Sequence, residues 1–306
     1  METRNEIAAI VVTYNRSDML VKCIDKLLAQ TVTCDILVVD NNSSDNTKEV
    51  LQHYINDKQI LYYHLDENIG GAGGFNYGLK LAVKQGYKYV WIMDDDCFPL
   101  ANSLEKLVEA DKTLGGVNNY GYLSSTVLWT NGKECKMNRQ KIKKAYYHHI
   151  QYLKDSIIQV EQSTFVSLLI PAQSINKVGL PIKEFFIWGD DIEYTRRMTV
   201  RNKMNCYMVG NSQVIHAMKE NNGSSISKDD LKRINRYKYA FRNEAYLYRK
   251  EGIRGIVYYL AKCGLNLFRI IFKAKNYKLK RCYVLISSMI KGLFFNPKIE
   301  MIKGEI

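Results

Sequence analysis

Four short runs of apolar and β-branched residues, each followed by a helix-like stretch, restrict the fold of this chain more than any other feature. Ile7–Thr13, Asp35–Asp40, Ile60–His64 and Tyr87–Met93 read as strands. Between the first two, Ser17 is placed to cap a helix carrying Leu20, Cys23, Ile24, Leu27 and Leu28 at helical spacing. The turn Asn41–Asp45 leads a second helix to about His53, and a glycine-rich loop, Gly70–Gly74, opens a third that runs to about Lys84. Strands alternating with helices predict an α/β fold with a mostly parallel sheet covered on both faces. Such sheets bind ligands beyond the carboxyl ends of their strands. Thr13-Tyr14-Asn15, Asp40-Asn41, Asn68 and Asp94-Asp95-Asp96 all fall at those ends.

The aspartate triplet ends the fourth strand, which Pro99 is expected to stop. Three adjacent carboxylates repel one another unless a positive charge sits among them. A hard divalent cation, Mg²⁺ or Mn²⁺, itself holding phosphate oxygens, is the usual solution; a solvated acidic turn is the alternative. The segment Asn68–Gly78 allows close backbone approach to a ligand and places a helix N-terminus where phosphate is favoured. It matches neither the phosphate-loop nor the dinucleotide fingerprint, and a tight turn into a closely packed helix would also explain it. Thr13, Asn15 and Asp40 have the hydrogen-bonding groups that a base and a ribose require, although such residues are common in turns.

A second acidic site lies in Trp188-Gly189-Asp190-Asp191-Ile192-Glu193-Tyr194. Two carboxylates beside aromatic rings suit a general base next to a sugar-binding platform, with burial raising one pKa. The same acids can cap a helix over Ile192–Met198, and the two uses are compatible. His216, after Val214-Ile215, is a candidate nitrogen ligand for the same metal; a lone histidine in that position is otherwise structural.

With 306 residues, the chain has room for one large domain, or one domain and an appendage. Its net charge of +13 is unevenly spread: residues 231–306 hold 18 Lys/Arg against 4 Asp/Glu, and the rest is close to neutral. A composition shift near residues 223–230 separates a region 1–225 from a basic, helical region 226–306. In the latter, apolar clusters such as Leu265–Phe272 interleave with Lys and Arg. That pattern predicts helices lying on an anionic membrane surface. A bundle packed on the first region, or a homo-oligomer contact, would use the same residues. Positive charge also suits nucleic acid, but no nucleic-acid motif occurs and no such partner is expected.

No run approaches the roughly 20 apolar residues of a transmembrane helix. Residues 1–6 are polar and Ile7–Val12 is too short for a secretory core, so no signal peptide is expected. Seven scattered cysteines without a C-x-x-C pair predict free thiols in a reducing cytosol.

Taken in order, Thr-Tyr-Asn-Arg (13–16), Val-Asp-Asn-Asn-Ser (39–43), Asn-x-Gly-Gly-Ala-Gly-Gly-Phe (68–75), the aspartate triplet, Trp-x-Asp-Asp-x-Glu (188–193) and His216 resemble the family 2 inverting glycosyltransferases of GT-A fold. The glycine segment and the triplet are most similar to the galactofuranosyltransferase branch. The resemblance spans about residues 7–220. It implies transfer of galactofuranose from UDP-galactofuranose to a lipid-linked or oligosaccharide acceptor in bacterial surface-polysaccharide synthesis, with a rhamnosyl or other hexosyl donor as the alternative. A membrane-bound scaffold with a dead active site is a more distant one.

The resemblance further implies that Thr13, Asn15, Asp40, Asn68, Gly70, Gly71, Gly73, Asp94 and Asp95 line the nucleotide-sugar site. Asp94, Asp96 and His216 would hold Mn²⁺ or Mg²⁺. Asp191 would be the catalytic base, with Trp188 and Asp190 positioning the acceptor. Arg242-Asn243 matches a family element whose role the sequence does not disclose. The β-rich N-terminal domain of the large galactofuran polymerases and the Q-x-x-R-W element of processive synthases are absent, so addition of a single sugar is expected. The implied location is cytoplasmic, peripheral on the inner face of the cell membrane.

Overall fold

A computed structural model describes residues 5–302 of the chain. The outer ends of the two expected regions, 1–4 and 303–306, lie outside the described residues. Among the described residues there are ten strands: β1 (Ile7–Thr13), β2 (Asp35–Asp40), β3 (Leu61–His64), β4 (Tyr89–Asp94), β5 (Cys97–Pro99), β6 (Leu123–Trp129), β7 (Lys141–Ile142), β8 (Ile157–Gln162), β9 (Leu168–Pro171) and β10 (Tyr207–His216). They form one sheet in the order β3-β2-β1-β4-β9-β6-β10-β8-β7, with β5 pairing β10. Pairing is parallel across β3-β2-β1-β4 and between β6 and β10; β9, β8 and β5 join antiparallel. The sheet is therefore mixed, with its parallel half where the sequence predicted it.

The helices are α1 (Ser17–Leu28), α2 (Thr47–Val50), α3 (Gln52–Asn56), α4 (Gly70–Lys84), α5 (Ser103–Thr113), α6 (Ala172–Val178), α7 (Asp190–Arg196), α8 (Leu231–Ile234), α9 (Tyr237–Lys250), α10 (Ile253–Lys273) and α11 (Lys278–Phe294). Strand β1 shows why the sheet is covered on both faces. Ile7, Ala9 and Val11 pack into one core with Leu20, Ile24 and Leu107, while Ala8, Ile10 and Val12 pack into another with Phe75 and Leu79. A strand apolar at every position can only be buried on both sides.

Several expectations are corrected. Ser17 does not cap α1 with its side chain; the hydroxyl donates to Asn46 Oδ1 at 2.8 Å. The helix expected up to His53 is two short pieces, α2 and α3. Pro99 does not end the fourth strand. That strand stops at Asp94, Asp95 and Asp96 form a turn, and Pro99 closes β5. The glycine run is not a loop before a helix but the first turns of α4 itself. A Cβ on Gly74 would lie 2.5 Å from Val12, and one on Gly78 would lie 2.5 Å from Ile10, so these glycines let α4 sit directly on β1.

Helices α8–α11 have their own core, formed by Ile234, Phe241, Leu247, Tyr259, Ile270 and Leu285, against which Trp188 and Ile192 also pack. The segment after α11 returns to the first region: Leu180 N donates to Glu300 O at 2.9 Å and Lys80 pairs with Glu300 at 2.5 Å. The expectation about membrane spans is also corrected, because α10, 21 residues long, is long and apolar enough to cross a membrane by length and composition. It buries only one stripe, Gly255, Tyr259, Cys263 and Ile270, and leaves Val257, Leu260, Leu265, Phe268 and Phe272 exposed. All seven cysteines are unpaired.

Candidate active site

Strand register brings the polar ends together. Val12 is opposite Asp94, Thr13 is opposite Asp40, and His216 is opposite Cys97, which follows the triplet. Ala217 N donates to Asp96 O at 2.9 Å and fixes that turn against the end of β10. One ligand atom each from Asp94, Asp96 and His216 lies within 4.8 Å of the others.

The three aspartates have different surroundings. Asp95 points inward, accepting from Thr13 Oγ1 at 2.8 Å and from Arg16 at 2.9 Å. Asp96 accepts from Arg16 at 2.7 Å on one oxygen and faces His216 Nε2 at 3.1 Å with the other. Among the described residues the Asp94 carboxylate has no hydrogen-bond or ion-pair partner.

Burial alone would raise all three pKa values, and the partners decide the outcome. Burial, reinforced by Asp96 and Asp95, lifts Asp94 to about 7. Burial also lifts Asp95 to about 6 despite Arg16. For Asp96 the hydrogen bonds and charges of His216 and Arg16 outweigh burial and hold it at about 2. Burial would lower His216, but Asp96, Cys135 and Asp94 raise it to about 10.

A divalent cation fits this donor set. Two carboxylates and one imidazole are hard-to-borderline ligands that suit Mn²⁺ or Mg²⁺. The unpartnered Asp94 is the group such an ion would satisfy. His216 is also oriented for ligation: Asn138 Oδ1 lies 2.7 Å from Nδ1, while Asn138 Nδ2 donates to Thr164. A proton on Nδ1 leaves the Nε2 lone pair directed at the aspartates. Asn138 comes from the segment between β6 and β7 and was not identified from the sequence, because its contact with His216 spans 78 positions. Arg16 was likewise seen only as part of a motif.

The nucleotide-side residues form the adjoining rim. Asn15 has a left-handed backbone (φ 53°), and its Oδ1 accepts from Ser44 N at 2.8 Å, tying the ends of β1 and β2 together. Asp40 is buried, accepting from Ser43 N at 2.8 Å and Tyr62 Oη at 2.5 Å. Asn68 Oδ1 accepts from Gly70 N at 2.8 Å. Asn41 donates to Gly70 O at 3.2 Å, and its buried Oδ1 has no hydrogen-bond partner among the described residues.

The three glycines assigned to this site differ. Gly70 (φ +77°) lies where a Cβ would be 2.1 Å from Phe186 O, and Gly73 is pressed against Ile69. Only Gly71 has open space around its Cβ position. The Gly70 turn therefore abuts the loop that carries the second acidic site, and Ala72 N donates to Phe186 O at 3.2 Å.

That loop is strained. Phe186, Trp188 and Gly189 all have positive φ, at 65°, 64° and 88°. The strain places Asp190 and Asp191 at the first turn of α7, where carboxylates are favoured by the helix dipole. Two devices hold it. Asn243 Nδ2, on α9, donates to the carbonyls of Phe185, Ile187 and Trp188 at 3.0, 3.3 and 2.7 Å. Beneath α7, Arg197 and Glu193 form a fully buried ion pair, and Arg197 also donates to Val178 O and Leu180 O. Breaking such a pair costs about 3–5 kcal/mol.

Burial raises Asp190 well above the usual carboxylate range, followed by Asp191 and Asp94. The charge of Asp94 thus reaches Asp190. Burial lifts the half-buried Asp191 to about 6, although Ile192 N donates to it at 2.7 Å. Trp188 meets Tyr237 edge-on, with centroids 5.1 Å apart, and Arg233 lies 5.9 Å over its ring.

The sequence model of glycosyl transferase family 2 matches residues 8–161. Galactofuranosyltransferase GlfT1 of Mycobacterium tuberculosis is 29% identical over 205 residues, which span 63% of this chain and 64% of that relative. The match is thus just under two thirds of the relative's own length. A GalNAc(5)-diNAcBac-PP-undecaprenol beta-1,3-glucosyltransferase of Campylobacter jejuni is 35% identical over 107 residues, 34% of each chain. In fold, the chain is similar to GalNAc-T7, solved with UDP, GalNAc and Mn²⁺, with a TM-score of 0.59 and 14% identity over 89% of this chain and 56% of that one.

Proposed function

The chain belongs to glycosyl transferase family 2, and from that premise we propose that it transfers galactofuranose, with inversion, from UDP-galactofuranose to a hydroxyl of a lipid-linked glycan. Glycosyl transfer follows from the family. The observation that carries the mechanistic proposal is the cluster of Asp94, Asp96 and His216, with ligand atoms within 4.8 Å of one another, close enough to Asp190 for the charge of Asp94 to act on it. The similarity to GlfT1 supports the donor sugar. The undecaprenol named in the Campylobacter relative supports the lipid-linked acceptor.

Asp94, Asp96 and His216 would hold Mn²⁺ or Mg²⁺, which when bound neutralises charge on the departing diphosphate. Asp191 takes the proton from the acceptor hydroxyl as that oxygen attacks the anomeric carbon opposite the leaving group. A base with a pKa near 6 is ionised at neutral pH yet still accepts a proton readily. Asp190 and the Trp188 face position the acceptor sugar. On the donor side, Asn15, Asn68 and Gly71 lie at the rim, with Thr13, Asp40 and Asp95 beneath it and Gly70 and Gly73 closing α4 onto it. A retaining reaction would require a second opposed carboxylate as nucleophile, and no residue is assigned to that role.

The exposed apolar face of α10 and the surrounding cations support a peripheral position on the cytoplasmic face of the cell membrane, where lipid-linked glycans are within reach. The test is UDP or dTDP release with Mn²⁺ and a galactoside acceptor. UDP-galactofuranose, UDP-galactopyranose, UDP-glucose and dTDP-rhamnose are each tried with and without EDTA. Turnover with UDP-galactofuranose alone, abolished by EDTA, is the expected result. Turnover with dTDP-rhamnose or another hexosyl donor instead would overturn the donor assignment.

A further inference from the structure

We propose that the cleft between α10 and α11 seats the hydrocarbon tail of the lipid-linked acceptor. The proposal rests on the transfer function above and adds a binding site for the part of the acceptor that does not react. The cleft has a volume of about 440 Å³. Its walls are Ile256, Leu260 and Leu267 from α10 and Leu285, Met289 and Leu293 from α11. Arg249, from α9, closes one end, but its guanidinium is engaged by the carbonyls of Gly292, Leu293 and Phe295. The cleft thus offers no free charge to a ligand, and an apolar chain is the occupant that gains most from entering it.

Two further observations select a lipid over a second copy of the chain. The mouth of the cleft is edged by exposed apolar side chains, Leu260, Ile290 and Leu293. The cleft belongs to residues 231–306, which hold 18 Lys/Arg against 4 Asp/Glu. That charge complements an anionic headgroup or diphosphate, whereas a second copy would bring like charges together.

A single helix also links the cleft to the acceptor loop. Asn243 of α9 holds Phe185–Trp188, while Ala245 and Arg249, two and six residues further along α9, line the cleft. Helical spacing puts Asn243 and these two residues on opposite sides of α9, so the width of one helix, about 10 Å, separates the near wall from the loop. One molecule whose sugar and tail are joined by a linker of about that length can place its sugar at Asp191 and its tail in the cleft.

Gly264 provides the test. A Cβ at this position meets nothing within 4 Å, so Gly264→Trp should fill the cleft from open space, and Gly264→Ala should leave it open. Methyl and dodecyl β-galactosides, the latter below its micelle concentration, are compared in two assays on the full chain: kcat/KM with the donor, and calorimetric titration without it. Wild type and Gly264→Ala are expected to favour the dodecyl compound at least roughly tenfold, since two buried methylenes already suffice. Gly264→Trp is expected to bring the ratio close to one.

Tail-dependent binding that Gly264→Trp abolishes would uphold the cleft even if no donor were turned over. Turnover without any chain-length preference, in rate or binding, would overturn the cleft and leave transfer standing. A wild-type dimer that Gly264→Trp converts to a monomer, with no tail binding, would assign the face to a second copy and overturn the proposal.

Discussion

The side-chain amide of Asn243 donates to the carbonyl of Trp188 at 2.7 Å, joining the basic C-terminal helices to the loop that carries the second acidic site. Its two further bonds, to Phe185 and Ile187, make Asn243 the partner of three carbonyls in a loop where Phe186 and Trp188 have positive φ. Arg242, its neighbour, donates to Asn243 Oδ1 at 3.0 Å and to Glu184 O at 2.6 Å. The Arg242-Asn243 pair is thereby explained as a clamp. It reaches Asp190 and Asp191 only through the loop it holds. Asn243→Ala is expected to destabilise the fold by about 1–3 kcal/mol, the cost of leaving buried acceptors unpaired. It should lower kcat roughly tenfold or more while donor KM holds. Chemical denaturation and steady-state kinetics check both; an unchanged kcat would reduce the clamp to a structural contact.

Asp191→Asn should reduce kcat by roughly 10²–10⁴ with little change in stability. A base must be ionised, so wild-type kcat/KM should fall as pH drops through about 6, the value to which burial raises Asp191. A pH–rate profile whose acid limb is centred near this pH, and absent from the residual activity of Asp191→Asn, is the expected outcome.

Metal affinity should rise with pH. Asp94 is raised to about 7 and His216 to about 10, so a cation entering this site displaces protons from both. For each group, stability gained from protonation is present below its unfolded value, 3.8 and 6.5, and is lost as pH rises through the folded one. Mn²⁺ should therefore raise the Tm more at about pH 8 than at about pH 6. Thermal unfolding with and without EDTA measures this, and Asp94→Asn should remove most of the shift.

The glycines of α4 separate packing from ligand contact. Gly70→Ala forces a Cβ to 2.1 Å from Phe186 O at a positive φ, and should cost more than about 1 kcal/mol. Gly71→Ala meets nothing and should leave stability within about 0.5 kcal/mol, while raising donor KM if Gly71 faces the diphosphate. Denaturation midpoints and donor KM for the two variants form one comparison.

Membrane association should depend on salt. With the charge of residues 231–306 beside an exposed apolar face, the chain should sediment with vesicles containing anionic lipid and less with neutral ones. Raising salt from about 0.1 M to about 0.5 M should weaken that binding several-fold through screening. Binding that is indifferent to both lipid charge and salt would place the apolar face against something other than an anionic surface.

The parallel half of the sheet, the rim to which its strands deliver Thr13, Asp40 and Asp94, and the pairing of the aspartate triplet with His216 were legible in the sequence. The first two rest on a local pattern: a strand's period, a helix's period, or a cluster of one residue type at an element's end; the third rests on the order of the family's motifs. Local patterns do not say which way a side chain turns once the strand has stopped. Asp94 is left without a partner among the described residues, whereas Asp95 turns to Thr13 and Arg16 and Asp96 to Arg16 and His216, because the chain reverses from β4 into β5 to pair with β10. Nor do they show contacts between distant segments. Asn138 reaches His216 across 78 positions, Phe186 O closes on Gly70, and Asn243 reaches Trp188 across 55. The sequence by itself determined which chemical groups the site would contain. Only the tertiary structure decided which of them are spent on one another and which are left to meet a ligand, because that depends on close packing between elements far apart in the chain.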